Sequence, residues 1–261
     1  MQNKVVWITG ASSGIGEALV YKLNGQGAKL IISSRNREAL YTVKGNCKLN
    51  QLNIHVLPID LEDTAKLADI AASALKIFGR IDLIIHSGGL SQRSLALDTK
   101  LEVARKIMDI NFWGTVALSQ AILPDMISKN TGHIVIISSL VGKFGTKKRS
   151  AYAASKHALH GYFDSLRNEL NPKIKISIIC PGYIKTNLSY NALLANGSRQ
   201  NKMDDAQANG MSADECANQI IKAIKAGKEE VYIGGKEKYA VLIKRFLPGL
   251  FSRIVRNAKV T

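Results

Sequence analysis

Six short apolar runs rich in β-branched residues mark the chain at 5–8, 28–32, 54–57, 81–85, 133–137 and 174–179. Largely apolar runs of this kind suit strands buried on both faces, because a strand with one wet face would alternate strictly with period two. The stretches between them repeat with helical spacing. In the first, Ile15, Ala18, Leu19 and Leu23 fall on one side, and Gly25 or Gly27 is placed to end the helix. The alternation predicts an α/β fold with a doubly wound parallel sheet, whose right-handed crossovers open a ligand crevice at the carboxyl ends of the strands. Functional residues are therefore expected just after each apolar run.

With 261 residues, 46% of them hydrophobic, the chain is sufficient for one large core, so a single domain is expected. Residues 1–235 read as a dinucleotide-binding catalytic domain of Rossmann-like type, and 236–261 as a basic amphipathic extension of it. The long irregular stretch at about 183–213 is rich in Asn, Ser, Gly and Gln. It follows the sixth run directly, over the expected crevice, which predicts a substrate lid; a plain surface loop is the alternative.

The first run leads into Thr9-Gly10-Ala11-Ser12-Ser13-Gly14-Ile15-Gly16 at the start of the first helical stretch. A dinucleotide pyrophosphate requires that context, because glycines allow close backbone approach and the helix amides favour negative charge. After the second run comes Ser33-Ser34-Arg35-Asn36-Arg37, without the acidic residue that would bind a free ribose 2′-hydroxyl. A guanidinium matches a 2′-phosphate, so Arg35, helped by Ser13, predicts NADP(H) as cofactor. The alternative is that Arg35 and Arg37 simply begin an exposed helix.

Ser150-Ala151-Tyr152-Ala153-Ala154-Ser155-Lys156 is helical in pattern, and a spacing of four puts Tyr152 and Lys156 on one face. Alone that spacing is commonplace. Its place thirteen positions after Ser139, after Asn111 and after the glycine loop gives it weight. Carbonyl reduction needs a proton donor at oxygen while hydride reaches carbon, and oxidation needs the reverse. A tyrosine titrating near 10 must be favoured as phenolate by about 3 pH units, roughly 4 kcal/mol, to act near neutrality. A cation about 4 Å away in an effective dielectric near 20 supplies energy of that order, which assigns the adjustment to Lys156. Ser139, with Ser138 as the alternative register, is expected to hydrogen-bond and orient the substrate oxygen.

Together these motifs resemble the short-chain dehydrogenase/reductase family over about residues 5–233, with a TGxxxGxG loop and a YxxxK pair. The resemblance implies a catalytic tetrad of Asn111, Ser139, Tyr152 and Lys156. In it Asn111 would hold a water linking Lys156 to solvent, and Lys156 would contact the nicotinamide ribose. It further implies that Asp60 and Leu61 touch the adenine, with a helix N-cap as the alternative for Asp60. Pro181 and Gly182 would turn the chain beneath the nicotinamide, and Ile184 and Thr186 would bind its carboxamide; a plain Pro-Gly turn without ligand contact is the alternative that the residues alone favour. Where the family usually has Asn-Asn-Ala-Gly, this chain has His86-Ser87-Gly88-Gly89. Ser87 and Gly88 are expected at the cofactor, and His86 is read as a structural, hydrogen-bonded histidine. The stretch Gly88-Gly89-Leu90-Ser91-Gln92-Arg93-Ser94 resembles the branch containing dehydrogenase/reductase member seven, whose members are associated with retinoid, steroid and other carbonyl substrates and are in some cases membrane-bound.

The function so implied is reduction of a ketone, or oxidation of a secondary alcohol, as a small-molecule substrate on the CH–OH group. Two rivals are a 3-oxoacyl-carrier-protein-type reductase and a dinucleotide-binding sensor or scaffold with a disused site. A homo-oligomer, dimer or tetramer, is expected by family analogy. Cys47, Cys180 and Cys216 lack metal-ligand spacing, so no metal is expected, and an odd thiol count fits a reducing, cytoplasmic setting. Cleaving the start as a signal would destroy the glycine loop, so the chain is read as beginning at Met1. The net charge of +16 fits a solubilising surface, anionic ligands or an anionic membrane. No basic stripe interleaved with aromatics points to nucleic acid. In 236–261, Lys236, Lys238, Lys244, Arg245, Arg253, Arg256 and Lys259 mix with Leu242, Phe246, Leu250 and Phe251, and Pro248-Gly249 should split the segment into two helices. Membrane-surface contact and packing on the domain are the two readings of that segment.

Overall fold

The computed structural model describes residues 1–258; Lys259, one of the C-terminal cations, lies outside them. In chain order the elements are β1 (Val5–Thr9), α1 (Gly14–Asn24), β2 (Lys29–Ser33), α2 (Arg37–Gly45), β3 (Ile54–Val56), α3 (Leu67–Phe78), β4 (Leu83–His86), α4 (Leu101–Met108) and α5 (Gly114–Ser128). They continue with β5 (Gly132–Ile137), α6 (Ser150–Glu169), β6 (Ile174–Pro181), β7 (Ile184–Lys185), α7 (Asp205–Ala208) and β8 (Met211–Ser212). The last are α8 (Ala213–Lys225), β9 (Glu230–Ile233), α9 (Ala240–Phe246) and α10 (Pro248–Asn257).

Seven strands form one parallel sheet in the order β3-β2-β1-β4-β5-β6-β9. Every residue of β1 is buried, including Trp7, whose indole N–H donates to Ser33 Oγ at 2.9 Å. That burial on both faces is why the apolar runs do not alternate. One core layer lies between the sheet and α1, α2 and α8; the other lies under α3, α5 and α6 and reaches Phe251 of α10. The chain order reverses direction between β1 and β4, so the crevice opens at their carboxyl ends.

The first helix ends at Asn24 with Gly25 as its C-cap, one of the two glycines expected to close it, and Gly27 follows in the left-handed conformation, φ +74°. One departure from the sequence reading has a local cause. The seventh strand, β9, carries Glu230 and is only partly buried before Ile233, so it shows no apolar run.

Between α4 and α5 the residues Asp109–Trp113 form a single π-helical segment. It widens one turn of an otherwise long helix and buries Ile110, Asn111 and Phe112, a device that often aims one side chain at a site.

Candidate active site

The turn after β1 sets the floor of the crevice. Gly10 has φ +66°, and a Cβ there would lie 2.6 Å from the Gly88 backbone nitrogen, so the turns after β1 and β4 touch backbone to backbone. α1 begins directly beyond, and its N-cap Ser13 makes no side-chain capping bond, which leaves the first helix amides for an outside acceptor. A cavity of about 930 Å³ opens over this floor and runs from Arg35 and Asp60 past Gly88 to Ser139 and Tyr152. An elongated trough bounded by a side-chain-free turn and uncapped amides fits a dinucleotide.

The opposite wall comes from β5 and α6. Along α6, Tyr152, Lys156, Leu159 and Phe163 recur at three or four residues and are buried, which draws the tyrosine and the lysine inward together. Tyr152 and Lys156 are 6% and 5% exposed. The Lys156 ammonium lies 5.8 Å from the centre of the Tyr152 ring and donates to the Ile137 carbonyl at 2.8 Å. Burial lowers the Lys156 pKa to about 8. Tyr152 is pushed above its ordinary value by burial, against opposing effects of Arg149, a hydrogen bond with Ser139, and Arg93. The sequence argument gave Lys156 an effect of that order, offset in part by desolvation of the pair. In the ligand-free protein burial prevails, and the opposing charges are two arginines that the argument did not consider. Ser139 Oγ also accepts from Val141 N at 3.3 Å and lies 3.3 Å from the Pro181 carbonyl, to which it donates.

Asn111 does not line the cavity. Its Oδ1 accepts from Leu90 N at 2.7 Å, while Nδ2 donates to Leu90 O at 2.9 Å and to Ser155 Oγ at 3.0 Å. A Cβ on Gly89 would lie 3.0 Å from Asn111 Oδ1 and 3.7 Å from Lys156 Nζ, so both polar groups face one small notch.

Of the remaining expected residues, Gly10, Ser12, Ser13, Gly14, Ile15, Arg35, Asp60, Leu61, Ser87, Gly88, Pro181, Gly182, Ile184 and Thr186 line the cavity; Gly16 packs beneath the loop against Gly10 O. Arg35 is exposed at the far end of the cavity and, with Asp60 and Asp63, also borders an adjoining recess. Asp60 is not a helix N-cap: its carboxylate accepts from Glu62 N at 3.1 Å, well before α3 begins at Leu67. His86 points away from the cavity, with Nε2 2.9 Å from Ser119 Oγ, and burial lowers its pKa to about 3.

The sequence reading expected 183–213 over the crevice but named none of its lining side chains beyond Ile184 and Thr186. Leu188, Asn191, Leu193 and Arg199 border the cavity, as do Leu90 and Lys106. No local pattern marks them, since only the docking of the segment brings them there. Among the described residues no helix is long and apolar enough to cross a membrane.

The short chain dehydrogenase family model matches residues 4–195. The dehydrogenase/reductase SDR family member 7B of Mus musculus is 41% identical over 263 residues, covering 98% of this chain and 81% of that protein. The chain belongs to the short-chain dehydrogenase/reductase family. The dehydrogenase/reductase SDR family protein 7-like of Drosophila melanogaster is 37% identical, covering 100% of this chain and 82% of its own. A short-chain dehydrogenase from Streptomyces avermitilis shares the fold at a TM-score of 0.82 and 25% identity, over 98% of this chain and 96% of that one. One from Burkholderia cenocepacia, solved in complex with NADP, has a TM-score of 0.80 at 23% identity, over 97% of this chain and 98% of that one. One from Burkholderia phymatum, solved in complex with NAD, has a TM-score of 0.83 at 21% identity, over 95% of each chain. As a short-chain dehydrogenase/reductase the chain is an oxidoreductase that uses a nicotinamide dinucleotide.

Proposed function

We propose that this short-chain dehydrogenase/reductase is NADP(H)-dependent and interconverts a ketone and a secondary alcohol, with Tyr152 exchanging the proton at the substrate oxygen. The observation that carries the reading is the shared wall: Ser139, Tyr152 and Lys156 border one cavity opposite the Gly10–Gly88 floor. The bound dinucleotide would supply or accept the hydride. Ser139 orients the substrate oxygen, Tyr152 donates the proton in reduction, and Lys156 supports the phenolate left behind. The notch faced by Asn111 and Lys156 has the polar lining that a bridging water requires, which supports a proton path from Lys156 outward. Gly10, Ser12, Ser13, Gly14 and Ile15 would hold the pyrophosphate, Arg35 the 2′-phosphate, Asp60 and Leu61 the adenine, and Ile184 and Thr186 the carboxamide.

The test is an NADPH-oxidation screen over ketosteroids, retinal, quinones, simple ketones and 3-oxoacyl thioesters, repeated with Tyr152→Phe. General acid–base catalysis is worth about 10²- to 10⁴-fold, so the variant should lose that much turnover while still binding NADPH. Unaltered turnover overturns the mechanism. Arg35→Leu should raise the KM for NADPH at least about tenfold and leave NADH little changed, as loss of a charge-assisted phosphate contact requires. A wild-type preference for NADH overturns the cofactor assignment.

Two surface readings accompany this one. Phe251, Val241, Ile243 and Val255 of the C-terminal helices pack on the domain, while Leu242, Phe246, Leu247, Leu250 and Ile254 stay exposed beside Lys244, Arg245, Arg253 and Arg256. That mixture supports peripheral attachment to an anionic membrane, which fails if the protein does not sediment with anionic liposomes. Trp113 and Leu101, 51% and 65% exposed near α4 and α5, support a homo-oligomer; sedimentation as a monomer refutes it.

A further inference from the structure

α6 begins at Ser150 without a cap of its own, because Arg149 before it makes no side-chain capping bond. The helix is capped from elsewhere. Gln92, in the turn after β4, is fully buried, and its Oε1 accepts from Ala151 N at 2.8 Å and from Tyr152 N at 3.4 Å. Its amide nitrogen has Ser94 O, Ser94 Oγ, Thr99 Oγ1 and Ser150 Oγ within reach of its two N–H groups at 2.8–3.2 Å, so the amide is held in one orientation. The backbone amide of the tyrosine thus rests on a side chain 60 residues upstream.

The neighbouring residue grips the segment 183–213. Arg93 Nε and Nη2 both donate to Asp204 Oδ2, at 2.7 and 2.5 Å, with side chains 3% and 2% exposed. Arg149 Nη2 reaches the same oxygen at 3.4 Å, and Gln200 Nε2 donates to Oδ1 at 3.0 Å. The main chains join as well: Arg93 N donates to Leu193 O at 2.8 Å, and Leu193 N to Ser91 O at 2.9 Å. Leu193 is itself part of the cavity wall.

We propose that Gln92 and Arg93 are positioning residues that tie closure of the 183–213 segment over the substrate to the placement of Tyr152. The inference rests on the reading of Tyr152 as the proton donor. Apart from β7, β8 and the four-residue α7, the segment carries little regular structure, so its seat over the cavity depends on such docking contacts. A buried ion pair adds little net stability, yet breaking it leaves an uncompensated charge; such a pair favours one arrangement over others. Releasing Arg93 from Asp204 frees Leu193 and the turn that holds Gln92, and with it the first turn of α6. One member of the pair also bears on the tyrosine directly: burial raises the Tyr152 proton affinity, and Arg93, together with Arg149 and the Ser139 hydrogen bond, pulls it back down.

The experiment is a double-mutant cycle on the full chain with NADPH and a turned-over ketone. Gln92→Met removes the acceptor at nearly constant size, and Arg93→Met/Asp204→Leu removes both charges so that neither stays buried alone. Gln92→Met should lower kcat by about 10- to 100-fold, the scale of a misplaced catalytic group, with less change in KM. The pair variant should raise KM at least about tenfold and speed limited proteolysis within 183–213. Combined, the two changes should depart from additivity in kcat/KM by more than about threefold, as coupled sites do. Additive effects, or unaltered proteolysis of the pair variant, overturn the coupling. If Tyr152→Phe is inactive and the cycle is additive, this inference alone fails; if Tyr152→Phe stays active, the underlying reading fails whatever the proteolysis shows.

Discussion

Lys156→Met replaces a buried ammonium with an apolar chain of similar length. The ammonium sits 95% removed from solvent, with a pKa lowered by burial from 10.5 to about 8. Below pH 8 the folded protein holds a charge that the unfolded chain would hold more readily, and the difference of about 2.5 pH units corresponds to roughly 3 kcal/mol of lost stability. Between pH 8 and 10.5 the unfolded state binds more protons than the folded one, so stability attributable to this group rises with pH. Linkage puts the cost at roughly 3 kcal/mol at pH 7 and under about 1 kcal/mol at pH 10. The variant forfeits the bond to the Ile137 carbonyl, about 1–3 kcal/mol, at both values. The pH-dependent part therefore separates cleanly. In urea unfolding of the ligand-free protein, the stability of Lys156→Met relative to wild type should worsen by roughly 2 to 3 kcal/mol from pH 7 to pH 10. Other titrating groups cancel in that comparison. A difference that does not change with pH would refute the buried-cation argument, and with it the claim that Lys156 is kept at a cost to stability.

Two further outcomes follow from the same geometry. His86→Gln removes a buried imidazole whose pKa burial lowers to about 3; since the unfolded histidine binds protons from about 6.5 downward, wild type should lose about 3 kcal/mol more than the variant between pH 7 and pH 4, read by urea midpoints, and equal losses would refute it. Gly10→Ala places a Cβ against Gly88 in a left-handed backbone; NADPH affinity measured by fluorescence should fall at least about tenfold, and retained affinity would refute the close-turn account.

How much the sequence revealed depended on whether the cause was local. The six apolar runs were legible because strands such as β1 and β5 are buried on both faces. β9 was not, because at the sheet edge Glu230 and Tyr232 face a polar cluster and only Ile233 is fully covered. Gly10, Gly88 and Tyr152 stood out because each follows a strand or opens a helix. Gln92 and Asp204 gave no such sign, being 112 positions apart and meaningful only through partners that folding brings together. Two of the charges acting on Tyr152 escaped the sequence for a related reason: Lys156 is visible at a spacing of four, whereas Arg93 and Arg149 act through space.

The distribution of buried charge links these observations. Among the described residues, the Lys, Arg, Asp and Glu side chains counted as buried are Arg93, Arg149, Lys156 and Asp204, and all four lie around Tyr152. Elsewhere the interior holds neutral polar groups paired locally, such as Trp7 with Ser33 and His86 with Ser119. Three cations against one carboxylate leave the site positive, an arrangement that lowers stability by itself. Negative charge would relieve it, whether as a phenolate on Tyr152 or as the phosphates of a dinucleotide beside the glycine turn. A chain carrying +16 needs no buried cations for solubility, so the buried excess calls for a cause other than the general basicity of the chain, and the proposed proton transfer at Tyr152 would supply one.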